Sequence, residues 1–136
     1  MKANELQIGD YVNYRGQIIK ITSLYDKGGS NEIGWSDKES VWVNGRCIEP
    51  IPLTPEILEK NGFVENRGVT SWKFETDRED LIDIYGVKDY HLSINIEDTH
   101  GSGKGYRWML SNLTIFYVHQ LQHALRLCGI EKEIIL

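Results

Sequence analysis

A chain of 136 residues, 40% hydrophobic and 26% charged, has the composition of one ordinary globular domain or two very small ones, which argues against a disordered segment. Its formal net charge of −5 works against binding to nucleic acid or to an anionic membrane. Two cysteines, Cys47 and Cys128, are too few for a disulfide framework. The first ten residues lack the apolar run of a signal peptide, and no stretch approaches the length of about 18 apolar residues that spans a bilayer. The expected location is the cytoplasm, with both thiols reduced and packed as small core residues.

Residues 1–52 read as short strands and turns. Ile8, Gly9 and Asp10 lead into a strand at 11–14, and Arg15-Gly16 is a turn. Residues 17–25 are rich in β-branched and aromatic side chains and read as one longer strand. A loop follows at 26–30, then a strand at 31–35. Residues 41–43 and 46–48 flank Asn44-Gly45, a dipeptide that favours the hairpin turn with two positive φ angles. About five short strands in so short a stretch predict a small β-barrel or curled sheet. The opening pattern at 8–25 resembles an SH3-like or KOW-like barrel.

Pro50 and Pro52 make a stiff connector. A short helix over about 55–61 is then predicted, with Thr54 as N-cap, Pro55 in the first turn and Gly62 past the end. Alternation of polar and apolar residues over 71–75 and 90–96 marks half-buried antiparallel strands, with Trp72, Phe74, Leu92, Ile94 and Ile96 facing inward. Residues 77–80 form a charged loop, and 81–85 fit either a strand or a helix. A long hairpin loop at 97–105 precedes a strand at 106–110. The clearest helix covers about 116–128, where Val118, Leu121, Leu125 and Cys128 recur at spacings of three and four. This stripe should pack on the sheet, leaving His119, Gln122, His123 and Arg126 outward. Residues 133–136 fit a last strand or a hydrophobic clamp. The fold class is therefore α+β: a barrel-like subdomain at 1–52, then an antiparallel sheet covered by the amphipathic helix at 53–136.

Three segments taken together, at 1–9, 48–63 and 117–122, resemble a group of small uncharacterised proteins of gut Bacteroides genomes, often found near prophage or other mobile elements. Leu127-Cys128-Gly129-Ile130-Glu131 departs from the group's pattern. The resemblance implies a bacterial cytosolic setting and carries no activity.

The motifs that could carry chemistry are each incomplete. His119 and His123 have the spacing of a zinc-protease helix, but Gln120 stands where the general-base Glu belongs, and an amide cannot shuttle the proton. His91, His100 and Glu97 are the available third ligands. Residues 101–105 superficially suggest a phosphate loop, yet Asp98 and Gly105 replace its first glycine and its hydroxyl. Asp77, Glu79, Asp80 and Asp83 lack the spacing of a calcium loop. Neither cysteine lies in a nucleophile motif. No catalytic residue, cofactor or metal is therefore expected. Four Trp and seven Tyr are many for this length. Strand aromatics of a small barrel can form a binding platform, and Tyr11, Tyr14, Tyr25, Trp35 and Trp42 are the candidates. The expected function is a non-enzymatic interaction module with a protein partner. The alternative is a nucleic-acid binder that adds Arg15, Lys20, Lys27 and Arg46 to those aromatics.

Overall fold

A computed structural model describes residues 5–27, 30–35, 41–66, 70–76, 81–86, 90–98 and 105–136. The chain divides into two compact units, Met1–Pro52 with Tyr117–His119, and Leu53–Phe116 with Gln120–Leu136. Among the described residues all strand pairing is antiparallel. Among the described residues no helix is long and apolar enough to cross a membrane.

The first unit contains β1 (Tyr11–Tyr14), β2 (Gln17–Lys20), β3 (Ser23–Lys27), β4 (Ser30–Gly34), β5 (Trp42–Asn44) and β6 (Ile48–Glu49). They make two three-stranded sheets, in orders β2-β1-β6 and β3-β4-β5. No closed barrel forms among the described residues. The single strand expected over 17–25 is broken at Ile21-Thr22, where the chain changes sheets. Ile21 N–H donates to the Asp10 carbonyl, and Thr22 N–H donates to the Gly34 carbonyl, so consecutive residues bond to different sheets. Val12, Ile19, Ile21, Ile33 and Ile48 are buried together with Leu6 to form this unit's core.

Turn chemistry explains a second departure. Arg15 and Gly16 have φ of 52° and 83°, and Tyr14 pairs with Gln17 across them. The two-residue turn with positive φ therefore lies here, and Asn13 Oδ1 accepts the Gly16 N–H at 2.8 Å. Asn44 instead has φ −66° and caps a 3-10 turn, Gly45–Cys47, by accepting the Arg46 N–H at 3.0 Å. Its side chain satisfies a backbone donor, which removes the need for a positive φ. Strands β5 and β6 consequently belong to different sheets and do not form the expected hairpin.

The second unit holds α1 (Pro55–Lys60), β7 (Val64–Asn66), β8 (Ser71–Glu75), β9 (Leu81–Tyr85), β10 (Tyr90–Asp98), β11 (Gly105–Ile115) and all but the first residues of α2 (Val118–Leu127). Thr54 caps α1 by accepting the Ile57 N–H, Pro55 opens the helix, and Gly62 follows it at φ 79°, as the local signals predict. The five strands form one meander in the order β11-β10-β9-β8-β7. Trp72, Ile84 and Leu92 share one cross-strand row, and Phe74, Ile82 and Ile94 the next, on the apolar face. The side chain of Ile96 lies outside the described residues.

The β10–β11 ladder slips between Leu92 and Ile94, and Asn112 there takes φ 56°. Ser93 fills the irregularity: its Oγ accepts the Asn112 N–H at 3.1 Å and lies 2.6 Å from the Tyr85 hydroxyl. Residues 130–136 make no strand, although Ile130 and Ile134 are buried.

Helix α2 corrects one expectation. Val118, Leu121, Ala124 and Leu125 are buried as the spacing predicts, but His119 and Gln122 are each only 5% exposed. The His119 ring stacks parallel on Tyr117 at 5.8 Å, and Tyr117 forms a bridge with Pro52. A periodic stripe marks one covered face and is silent on whether the other is covered too.

Candidate interaction surface

The second sheet of the N-terminal unit has a strict inside and outside. Leu24, Ile33 and Val43 form one cross-strand row and turn toward the core. The rows on either side, Ser23–Gly34–Trp42 and Tyr25–Glu32–Asn44, therefore point outward, because side chains alternate along a strand.

Tyr25 on β3 and Trp42 on β5 meet over the middle strand. Their centroids are 6.0 Å apart and the rings cross at 64°, an edge-to-face pair. Both stay open to solvent, at 52% and 41% exposure, and Val41 beside Trp42 is also exposed. Gly34 lies beside Trp42, and the space at it is closed chiefly by Ser23. A Cβ there would lie 2.4 Å from Ser23 Oγ and 3.6 Å from Trp42 Cε3. Gly34 itself is buried, and the Trp42 indole lies at ordinary contact distance from where its Cβ would stand. Residue-type reasoning passed over Gly34. A glycine inside a β-rich run was the available signal, since it marks a close approach of another group.

The other proposed aromatics go elsewhere. Tyr14 and Trp35 pack against the core and against each other, with centroids 5.1 Å apart. Arg15 lies 5.2 Å above the Tyr14 ring. Tyr11 is on the outer face of the first sheet, paired with Lys20, whose ammonium sits 5.5 Å from its ring centroid. Thus Tyr25 and Trp42 come together, Tyr14 and Trp35 come together, and Tyr11 belongs to neither pair. Arg46 is exposed within the 3-10 turn, and the side chain of Lys27 lies outside the described residues.

The remaining motif residues have structural work. Gln120, in the place of a catalytic Glu, accepts the Phe116 N–H through Oε1 at 2.7 Å and thereby caps the start of α2. His123 is half-buried, and His91 Nδ1 lies 3.4 Å from the Thr114 hydroxyl on the polar face of the sheet. Asp83 sits in β9, 3.7 Å from Lys73. Asp77, Glu79, Asp80 and His100, and the side chain of Glu97, lie outside the described residues, as does the loop over 101–104. Cys128 is buried, whereas Cys47 is exposed and ends the 3-10 turn, correcting its reading as a core strand residue. Among the described residues no three His, Cys, Asp or Glu side chains group as a metal site. No family model, no curated protein and no solved structure matches the chain.

Proposed function

We propose that this chain is a non-enzymatic interaction module that binds a protein segment on the outer face of the β3-β4-β5 sheet, with Tyr25 and Trp42 as its anchors. The observation that carries the reading is an edge-to-face aromatic pair that remains about half exposed on the outer face of a sheet. Two large side chains already fixed against each other lose little conformational freedom when a partner arrives. Exposed aromatic surface is also the commonest anchor of protein interfaces.

An SH3-like relationship of the first unit is part of the proposal. Its support is the strand order: two three-stranded sheets, a bend at Ile21-Thr22 between β2 and β3, and a 3-10 turn before β6. The bacterial, cytoplasmic and mobile-element setting rests on the segment resemblance alone.

The nucleic-acid alternative is weaker on this geometry. Lys20 and Arg15 lie over the rings of Tyr11 and Tyr14, so the cations cover faces on which bases would stack. Glu32 lies in the same outward row as Tyr25.

The test is selection from a displayed library of random peptides, followed by affinity measurement with Trp42→Ala and Tyr25→Ala. Peptides that bind the parent chain and lose at least about tenfold in affinity to both variants, while each variant keeps its far-ultraviolet dichroism, support the proposal. Selection of no binder, or of binders indifferent to both changes, refutes it. Salt-sensitive retention of single-stranded DNA or RNA on a filter would favour the alternative.

A further inference from the structure

Residues 130–136 lie along the second unit without joining its sheet. Buried apolar side chains and a few polar contacts hold them, and one side chain bonds their end directly. Asn61 follows α1 as its C-cap residue and is only 5% exposed. Its carboxamide Nδ2 donates to the Ile57 carbonyl at 2.7 Å and to the Ile135 carbonyl at 2.8 Å. Its Oδ1 accepts the Ile135 N–H at 2.8 Å. The carboxamide therefore bonds both polar groups of residue 135, as a neighbouring strand would, while its second N–H ties it to the helix. Lys60, the last residue of α1, adds a bond from Nζ to the Leu136 carbonyl at 2.5 Å. Further back, the Lys132 ammonium lies 4.0 Å from the centroid of the Phe74 ring, which packs on Phe63 at 5.2 Å. Ile134 is fully buried between these two anchoring points.

We infer that residues 130–136 form a strap that opens as a unit while the five-stranded sheet stays folded, and that Asn61 is its latch. A strand in the meander is held by a ladder of backbone bonds spread over its length. The strap concentrates its attachment to α1 at residues 135 and 136, so loss of one carboxamide frees that end without touching a ladder. Segments held by few bonds are those that open locally ahead of global unfolding. Opening would uncover the Phe63–Phe74 pair and leave the buried Asn61 carboxamide free to bond another extended backbone. Burial lowers the pKa of Lys132, in keeping with an ammonium drawn partly out of water when the strap is closed.

Native-state hydrogen exchange of the full chain, followed residue by residue by NMR, tests this with Asn61→Ala and Asn61→Asp. The expected result for Asn61→Ala is acceleration of the Ile135 and Ile134 amides by about five- to tenfold, the effect of losing a hydrogen bond of ordinary worth, with Ile82, Ile84, Leu92 and Ile94 unchanged. Asn61→Asp keeps an acceptor for the Ile135 N–H but sets a carboxylate oxygen against the Ile57 and Ile135 carbonyls, so its acceleration should be at least as large and equally local. Lys60→Ala provides a milder variant should neither fold, with faster exchange confined to residues 135 and 136. Equal acceleration of strap and sheet amides, or no acceleration at either, overturns the inference.

Discussion

The two sheets of the N-terminal unit and the five-stranded sheet of the C-terminal unit are all antiparallel, yet they keep register by different means. In the first, no strand among the described residues exceeds five residues, and the bends between strands carry the specificity. Arg15 and Gly16 adopt positive φ, Asn13 and Asn44 accept backbone N–H groups, and Gly9 turns at φ 91° into the buried Asp10. In the second, β10 and β11 run nine and eleven residues, and register rests on apolar rows and on one buried polar side chain, Ser93, at a slip in the ladder. Short strands have too few cross-strand pairs to choose their own alignment, so turn geometry must choose it. Long strands can absorb an irregularity, provided the backbone group it frees finds a partner.

Core truncations give the largest test of this contrast. Ile33→Ala and Leu92→Ala each remove a fully buried side chain from one unit and should each cost about 2–5 kcal/mol in urea melts. A loss below about 1 kcal/mol at either site would mean that the site does not belong to a packed core.

Next comes Gly34→Ala, expected to cost about 1–3 kcal/mol because its Cβ collides with Ser23 Oγ. In a Ser23→Ala background the clash is gone, so a double-mutant cycle should recover much of that loss. Equal costs in both backgrounds would show that Gly34 is not kept for space. The Trp42 fluorescence of Gly34→Ala should also shift, since the ring lies against the same position.

A smaller pair of changes separates turn from bulge. Gly16→Ala meets no neighbour and should cost about 1 kcal/mol through its positive φ alone. Ser93→Ala should cost about as much by withdrawing the acceptor from Asn112 N–H. If register in the long sheet depended on a turn instead, Ser93→Ala would be neutral by the same melts.

The smallest expected effect is a pH dependence at α1. The Glu56 carboxyl is held below its ordinary value, first by its own backbone N–H and then by the Thr54 hydroxyl. A depressed folded pKa means that the contribution is present above the unfolded value near 4.5 and is lost as pH falls through the folded value. Glu56→Gln should therefore melt slightly lower than the parent at neutral pH and equally at acid pH. The same change should bring the Tyr90 phenol, raised mainly by burial and secondarily by Glu56, partly back toward its ordinary value, read from phenolate absorbance.

Helix α1 shows why some of this fold was legible. Thr54, Pro55 and Gly62 each satisfy or forgo a backbone bond within a few residues of themselves, so the sequence window contains the whole cause. The alternating strands at 71–75 and 90–96 are legible for a related reason, because one buried face imposes a period of two. Asn44-Gly45 misled because its side chain can cap a turn as readily as its backbone can enter one, and the choice depends on which sheet β6 joins. The candidate surface was only half legible. The sequence marks Tyr25 and Trp42 as candidates, but nothing local distinguishes them from Tyr14 and Trp35, which the core absorbs.

By itself, then, the sequence determined the antiparallel strands, the caps of α1 and the apolar stripe of α2, since these follow from periodicity and from bonds between near neighbours. Tertiary structure alone decided that His119 and Gln122 are buried, that β2 and β3 part into different sheets, and that the Asn61 carboxamide holds residue 135. Pairing at those positions depends on groups 11 or 12 residues away at Ile21-Thr22 and 74 away at Asn61, and no local pattern records which distant surface will arrive.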